Sequence, residues 1–165
     1  MATIKGYSQE KQFKFMVNKP IILDSVRNIY FNQEMEYSYK RIYLENNILE
    51  ERGLFTINKE GVTTATFKKE NTTWFLRNQV GDWTLFYSDS IKFLPAPEIF
   101  ISGKKYIVRW TGTENINGQT IQAFRLKPVG FTQSDLSKFY FDPEHGIIGF
   151  EARSTTFIRN DLIKR

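Results

Sequence analysis

The residues best suited to chemistry lie in the stretch FDPEHG, residues 141–146, which contains the single histidine of the chain. His145 has Asp142 and Glu144 beside it, so that a carboxylate is available to orient the imidazole as a general base. A nucleophile must then reach the ring, and Ser137 and Ser154 are the candidates. The stretch is therefore a candidate catalytic site for nucleophilic hydrolysis.

The same stretch also has the composition of a hairpin turn. Pro143 has the fixed φ of a type I turn, Asp142 can accept a backbone N–H, and Gly146 can adopt the left-handed conformation. Exposed turns rarely provide the dry, fixed surroundings that catalysis requires. We therefore predict a turn between two strands here, with a catalytic site as the alternative.

Other chemistries have little support in the sequence. The chain has no cysteine, which excludes disulfides, thiolate zinc sites and a cysteine nucleophile. Residues 45–51 and 88–90 lack the spacing of a calcium loop, and the ten glycines are isolated at turns rather than grouped in a phosphate loop. We predict no metal and no cofactor.

A carboxylate-dependent hydrolase remains an alternative, because acidic residues from distant segments could meet in space. These are Glu34, Glu36, Glu50, Glu51, Glu114 and Glu151.

Length and composition indicate one folded domain. The 165 residues include 15 Phe, 8 Tyr and 3 Trp, which bury large areas per side chain. Residues 1–10 read as a flexible polar arm and 11–165 as a single β domain. The net charge of +5, with a pI near 9.3, weakly favours acidic partners.

No stretch is as apolar as a membrane span and no secretory leader is evident, so the chain as given is predicted to be soluble. A periplasmic or envelope location after removal of a leader stays open.

Alternation of period two dominates the chain and predicts strands. One face of each segment is aromatic or β-branched, as in residues 34–44, where Met35, Tyr37, Tyr39 and Tyr43 share a face. The other clear segments are 12–17, 72–77, 83–87, 105–110, 120–126 and the residues on either side of 142–146.

Short connections rich in Asn and Gly predict hairpins between successive strands. They occur at 46–47, 58–61, 70–71, 81–82 and 117–118. We therefore predict an all-β fold in which an antiparallel meander is curled into a barrel, a half-barrel or a two-layer sandwich. Residues 19–30 and 131–139 are candidates for one or two short helices, and residues 95–97 (PAP) are read as a crossover within the domain.

Strand ends rich in acidic and amide residues recur at YLENN (43–47), FKKEN (67–71) and YSDS (87–90). Together with GDWTLFY (81–87), they make residues 43–90 similar to the MORN-type hairpin repeats of bacterial proteins. The chain departs from that pattern at Asn47 and Asn71, where such repeats usually carry Gly. The resemblance implies a binding or structural role and no catalytic residue.

The leading hypothesis for function is a non-catalytic binding or interaction module. A curved sheet would hold an apolar or amphipathic ligand, or a protein partner, against a concave aromatic face. The predicted ligand-binding residues are Tyr37, Tyr39, Tyr43, Trp74, Trp83, Tyr106 and Trp110. The predicted shape is similar to lipocalin-type half-barrels of the bacterial envelope. The alternative is a β-barrel that binds single-stranded nucleic acid through basic and aromatic side chains. Its candidate residues are Arg41, Trp74, Arg77, Lys105, Arg109 and Trp110.

Overall fold

A computed structural model describes residues 9–17, 22–24, 29–30, 37–53, 63–90, 98–101, 104–116, 118–130, 136–152 and 155–162. Across these residues the chain forms fourteen strands and two short 3₁₀ turns. The strands are β1 (Gln9–Val17), β2 (Ile22–Asp24), β3 (Ile29–Tyr30), β4 (Tyr37–Tyr43), β5 (Ile48–Arg52), β6 (Thr63–Glu70), β7 (Thr73–Arg77), β8 (Trp83–Tyr87), β9 (Glu98–Ile101), β10 (Lys104–Ile116), β11 (Gln119–Pro128), β12 (Leu136–Asp142), β13 (Gly146–Ala152) and β14 (Thr155–Arg159). The 3₁₀ turns are Glu45–Asn47 and Asn160–Leu162.

Twelve of these strands form one antiparallel sheet in the order β8-β7-β6-β5-β4-β1-β14-β13-β12-β11-β10-β9, and β2 pairs with β3 separately. Strands β4 to β8 form one meander, and β9 to β14 form a second. Strand β1 joins the two meanders, because it pairs with β4 along one edge and with β14 along the other. The predicted all-β antiparallel fold is confirmed.

Aromatic contacts show that this sheet folds over on itself. Phe86 of β8 stacks on Phe124 of β11, with ring centroids 5.3 Å apart, and Trp74 of β7 meets Phe141 of β12 edge to face at 5.1 Å. In the sheet order, β7 and β8 lie at one end, whereas β11 and β12 lie near the other. The rings can meet only if the two meanders face each other across a shared core. Among the described strands the ladder ends at β8 and at β9, so the fold is a sandwich or half-barrel rather than a closed barrel.

The alternation that predicted the strands also decides which side chains enter this core. Trp74 and Leu76 of β7 are buried, as are Tyr106 and Val108 of β10. Trp110 continues the same face of β10 but is 36% exposed. It lies next to a register shift in the β10–β11 pairing, between Trp110 and Gly112. The apolar face of β10 is therefore buried only along the first part of the strand.

Three of the predicted turns adopt the backbone conformation that their residues favour. Asn46 and Asn47 have φ of 57° and 59° between β4 and β5, and Asn71 has φ of 55° between β6 and β7. Gly146 ends the β12–β13 turn with φ of 78°. Asn and Gly tolerate the left-handed region at low cost, which explains why these hairpins were recognisable. The predicted turn at 58–61 lies outside the described residues.

The helix predictions were wrong where the structure describes the chain. Within 19–30, Ile22 pairs with Tyr30 and Asp24 with Ile29 in the small two-stranded sheet. Within 131–139, the residues from Leu136 onward belong to β12. β-Branched and aromatic side chains fit a pleated surface better than a helix, and tertiary pairing decides such ambiguous segments. The described part of the chain does not include residues 95–97 or 131–135. Of the predicted arm, residues 1–8 are also outside it, and Gln9 and Glu10 belong to β1.

Gly149 in β13 allows close packing on the outer face of the second meander. A Cβ atom there would lie 2.6 Å from the Phe157 carbonyl oxygen and 2.6 Å from Ile158 Cδ1. We expect Gly149→Ala to lower the free energy of unfolding by about 2–3 kcal/mol, because neither backbone nor buried side chain can yield easily. Urea unfolding measures this. Gly118→Ala is the control, since its Cβ meets open space and only the positive φ is strained, at about 1 kcal/mol. Equal losses in the two variants would contradict the steric explanation.

Candidate functional site

Three turns meet at one end of the folded sheet and enclose an open cleft of about 420 Å³. The β4–β5 and β6–β7 turns come from the first meander, and the β12–β13 turn (142–146) comes from the second. We call this the turn-cluster cleft. Its main lining residues are Arg41, Tyr43, Ile48, Lys69, Trp74 and Glu144. The cleft therefore depends on how the two meanders are held together.

Side chains of the first meander bind the backbone of the 142–146 turn directly. Trp74 Nε1 donates to the Pro143 carbonyl at 2.8 Å, and Lys69 Nζ donates to the Glu144 carbonyl at 3.2 Å. The Lys69 ammonium also lies 5.2 Å from the centroid of the Trp74 ring, which places it within cation–π distance. The turn is thus fixed against β6 and β7 at two successive carbonyl groups.

The next carbonyl group of the turn, that of His145, accepts two further hydrogen bonds. Arg41 Nη1 donates to it at 2.8 Å and Arg159 Nη1 at 3.2 Å. Both guanidinium groups also lie over the Phe13 ring, at 5.3 Å for Arg41 and 3.7 Å for Arg159. Arg41 of β4 therefore joins the first meander to this turn, Arg159 of β14 holds the turn within the second meander, and Phe13 of β1 contacts both arginines.

Arg41 is neutralised by Glu51 from the neighbouring strand β5. Arg41 Nε donates to Glu51 Oε1 at 2.7 Å, Nη2 lies 2.6 Å from the same oxygen, and the two side chains are only 4% and 1% exposed. Burial by itself lowers the pKa of Arg41, but the adjacent Glu51 carboxylate raises it, and the net pKa lies above its usual value. Burial also raises the pKa of Tyr39, and the charge of Glu51 adds to this. Arg41 is therefore a fixed cation of the interior, held by Glu51.

Within the turn, Asp142 accepts the backbone N–H groups of Glu144 and His145, each at 2.8 Å. Its Oδ1 also lies 2.8 Å from His145 Nδ1. Burial raises the pKa of Asp142, but these hydrogen bonds outweigh burial and hold the pKa below its usual range. The carboxylate therefore organises the turn, as the residue types predicted.

Within the described residues, Ser137 does not form a catalytic triad with Asp142 and His145. Ser137 lies near the start of β12, five residues and roughly 17 Å from Asp142 along an extended strand. Its Oγ donates to Glu151 Oε1 at 2.8 Å instead. The backbone of His145 is already used to bind arginines, while Ser154 lies outside the described residues. The predicted turn is present, and its residues serve to hold the 142–146 turn against the first meander.

The four candidate carboxylates that the structure describes each have a different partner. Glu51 pairs with Arg41, Glu50 with Arg52, and Glu114 with Lys138, while Glu151 accepts from Ser137. Glu34 and Glu36 lie outside the described residues. In the part of the chain that the structure describes, no group of three His, Cys, Asp or Glu side chains is placed to hold a metal ion. None of the helices in that part is long and apolar enough to cross a membrane.

The seven predicted ligand-binding residues are distributed over several environments. Tyr43 and Trp74 line the turn-cluster cleft. Tyr39 and Tyr106 are buried in the core between the meanders, which leaves them no surface open to a ligand. Two others lie nearer the surface: Trp83 is partly buried with Arg77 5.9 Å from its ring, and Trp110 Nε1 donates to Gln122. Of Tyr37, the structure describes only the backbone in β4. The aromatic residues thus mostly fill the core instead of lining one concave wall.

The six candidate nucleic-acid residues are divided in the same way. Arg41 and Trp74 are buried at the cleft, and Arg77 lies on β7. Lys105, Arg109 and Trp110 all belong to β10, but Trp110 lies on the opposite face from Lys105 and Arg109. No single groove contains all six residues.

The sequence analysis named Arg41 and Glu51 only as candidates for other sites and did not name Arg159, although the positions of Arg41 and Glu51 carried a signal of their pairing. Arg41 has the same parity in β4 as Tyr39 and Tyr43, so alternation alone places it on the buried face. Glu51 likewise follows the parity of Leu49 in β5, and register sets it opposite Arg41. A charged residue at an apolar position of an alternating strand indicates a buried partner of opposite charge.

Comparison of the chain with protein-family models, with curated proteins and with solved structures finds no match. The assignment of function therefore depends on the geometry of the molecule itself.

Removing one member of the buried ion pair is expected to be costly. Arg41→Met leaves the Glu51 carboxylate in the interior without its cation and removes a donor to the His145 carbonyl, which we expect to cost about 3–5 kcal/mol of unfolding free energy. The double variant Arg41→Met/Glu51→Leu should recover part of that loss, because no lone charge stays buried. Urea unfolding of the four proteins of this cycle measures the coupling. Additive losses in the double variant would show that the two side chains do not stabilise each other.

The lowered pKa of Asp142 predicts an acid-sensitive turn. Because the folded pKa lies below the unfolded value of about 3.9, the stabilisation is complete above pH 5 and is lost as the pH falls through the folded pKa. Asp142→Asn keeps an acceptor oxygen without the charge, so its unfolding free energy should fall less between pH 5 and acid than that of the wild type. Glu144→Gln is the control, because it removes a carboxylate of the same turn that is not the acceptor. Parallel pH profiles for wild type and Asp142→Asn would contradict the assignment.

Proposed function

We propose that this protein is a non-catalytic binding module, and that the turn-cluster cleft holds a small amphipathic ligand carrying an acidic group. The observation that carries the proposal is the combination, in one open cleft, of the partly exposed Tyr43 and Ile48 side chains with a lysine ammonium group. The volume of about 420 Å³ lies within the range typical of small-molecule sites.

The lining offers distinct places for the two parts of such a ligand. Tyr43, Trp74 and Ile48 form the apolar portion of the lining. Lys69 is partly exposed, and the hydrogen bond to the Glu144 carbonyl accounts for one of its three N–H donors. A carboxylate or phosphate on the ligand can accept from another of these donors while its apolar part packs on Tyr43 and Ile48.

The cleft is built on rigid parts. Trp74 is tied to the Pro143 carbonyl, and Arg41 is held by Glu51 and by the His145 carbonyl. A ligand therefore binds without having to order these side chains, which avoids an entropic penalty of binding. Such pre-organisation supports a binding role for the cleft in addition to a structural one.

A protein segment is the second occupant that we consider. Leu44 borders the cleft and is 38% exposed, so that an apolar side chain of a partner can rest on it. Under either form of the proposal, the protein would act as a carrier or interaction module. Such a role is comparable to that of lipocalin-type half-barrels or of MORN-type proteins, and an envelope location would suit it. Binding takes place at the end of the sandwich in this proposal, because stacked phenylalanines fill its interior.

A dye-binding titration tests the cleft. Anilinonaphthalene sulfonate has apolar rings and an anionic group, and its emission rises in an apolar site. We expect Lys69→Gln to weaken its binding about tenfold, because a charge-assisted hydrogen bond is lost. Lys68→Gln is the matched control: Lys68 is the adjacent residue, alternates to the other face of β6, and forms an ion pair with Glu70. It should bind the dye as the wild type does.

Two outcomes would overturn this proposal. If the folded wild type does not bind the dye, the cleft is not a site for anionic amphiphiles. If Lys68→Gln weakens binding as much as Lys69→Gln does, the dye responds to overall charge rather than to the cleft. Circular dichroism of each variant ensures that the comparison is made between folded proteins.

A further inference from the structure

The outer face of the second meander carries a row of cations across three neighbouring strands. Arg109 of β10 lies directly opposite Arg125 of β11, and Arg125 lies directly opposite Lys138 of β12. Lys127 follows Arg125 by two residues and therefore points to the same face of β11. Arg109, Arg125 and Lys127 are all exposed. We call these three residues the basic ribbon.

Acidic residues neutralise the flanks of this row but not its centre. Lys138 Nζ lies 2.6 Å from Glu114 on one side, and Lys105 Nζ lies 2.6 Å from Glu98 on the other. Among the described residues, no salt bridge or side-chain hydrogen bond involves any member of the basic ribbon. The exposed positive charge of the second meander is therefore concentrated at its centre.

The placement of Arg109 opposite Arg125 has a physical cost. Like charges directly across an antiparallel pair destabilise a sheet, and the two Cα atoms are only about 5 Å apart. An anion bound between the guanidinium groups removes this repulsion. Arginine suits phosphate in particular, because its planar fork donates two parallel hydrogen bonds to the phosphate oxygens.

An exposed tryptophan lies at the same edge of the sheet. The described pairing of β9 with β10 ends at Ile107, so Trp110 belongs to a part of β10 that borders β11 alone among the described strands. Its Nε1 donates to Gln122 Oε1 at 2.7 Å, which fixes the orientation of the ring. Trp110 and Arg109 point to opposite faces of the strand, so a chain that passes around this edge can contact both.

We propose that the basic ribbon binds the phosphate backbone of a single-stranded nucleic acid, one of whose bases stacks on Trp110 at the edge of β10. Adjacent unneutralised cations together with an exposed, fixed aromatic ring are the combination by which such strands are bound without sequence preference. An acidic peptide would use the cations without the ring, and a flat membrane surface cannot meet Arg109 and Trp110 together, because they point to opposite faces of β10. This site lies apart from the turn-cluster cleft and does not depend on the proposed ligand there.

Fluorescence anisotropy with a labelled oligothymidine of about 20 nucleotides tests the proposal on the full chain. Three phosphate contacts predict that the logarithm of the affinity falls with the logarithm of the salt concentration with a slope of about −2, from about 50 to 200 mM salt. Arg109→Ala/Arg125→Ala should bring the slope to about −0.7 and weaken binding at least tenfold at low salt. The matched control is Arg52→Ala/Arg77→Ala, which removes the same charge from the first meander and should bind within about twofold of wild type.

Variants of Trp110 separate stacking from charge. We expect Trp110→Ala to weaken binding about tenfold with an unchanged salt slope, and Trp110→Phe to restore most of the affinity because a ring is still present. Equal losses in the two double-arginine variants would overturn the proposal. So would equal binding of polyglutamate or of vesicles containing phosphatidylglycerol, or an affinity that does not respond to Trp110→Ala. Thermal melting of each variant confirms that the folded protein is being compared.

Discussion

The buried pair of Arg41 and Glu51 is the interaction on which the arrangement of this molecule depends. Arg41 binds Glu51 within the first meander and the His145 carbonyl of the second, so that one guanidinium group joins the two layers. Burying two charges costs several kcal/mol in desolvation, and an apolar pair of similar size is often as stable. An apolar pair, however, cannot make the directional hydrogen bond that Arg41 donates to the His145 carbonyl. The guanidinium group fixes where the 142–146 turn lies, and through that turn it fixes the wall of the cleft.

The aromatic core explains why the twelve-stranded sheet folds over on itself. Phe86 stacks against Phe124 and Phe139, and these rings come from opposite ends of the ladder. Stacked and edge-to-face rings bury large areas and prefer definite geometries, so they define how the sheet bends. The chain has no disulfide that could do this. The sequence predicted a hollow face lined by tyrosine and tryptophan, whereas phenylalanines together with several of those residues fill the space between the meanders.

Much of the fold could be predicted from the sequence, because strand alternation and turn residues are local signals. The turns at Asn46, Asn71 and Gly146 follow from backbone preference alone. The site was less predictable, since it is formed by residues more than 60 positions apart. Trp74 was expected to contact a ligand, but nothing in its own segment shows that its indole N–H binds Pro143. The buried pairing of Arg41 with Glu51 was not predicted, because a charged residue on an alternating strand is normally assigned to solvent. The helix predictions failed because short segments take the structure that their neighbours impose.

The turn-cluster cleft and the basic ribbon differ in how far their positive charges are neutralised, and this difference affects what each could bind. At the cleft, Arg41 is already neutralised by Glu51, and Lys69 shares its donors with a backbone carbonyl. Under the proposed function, such a site would attract an anion through one directed contact and gain most of its affinity from apolar packing. On the basic ribbon, adjacent arginines keep their full charge in water, where attraction extends over about 10 Å at moderate salt. Ligands at the cleft should therefore be selected by shape, and ligands at the ribbon by their charge density.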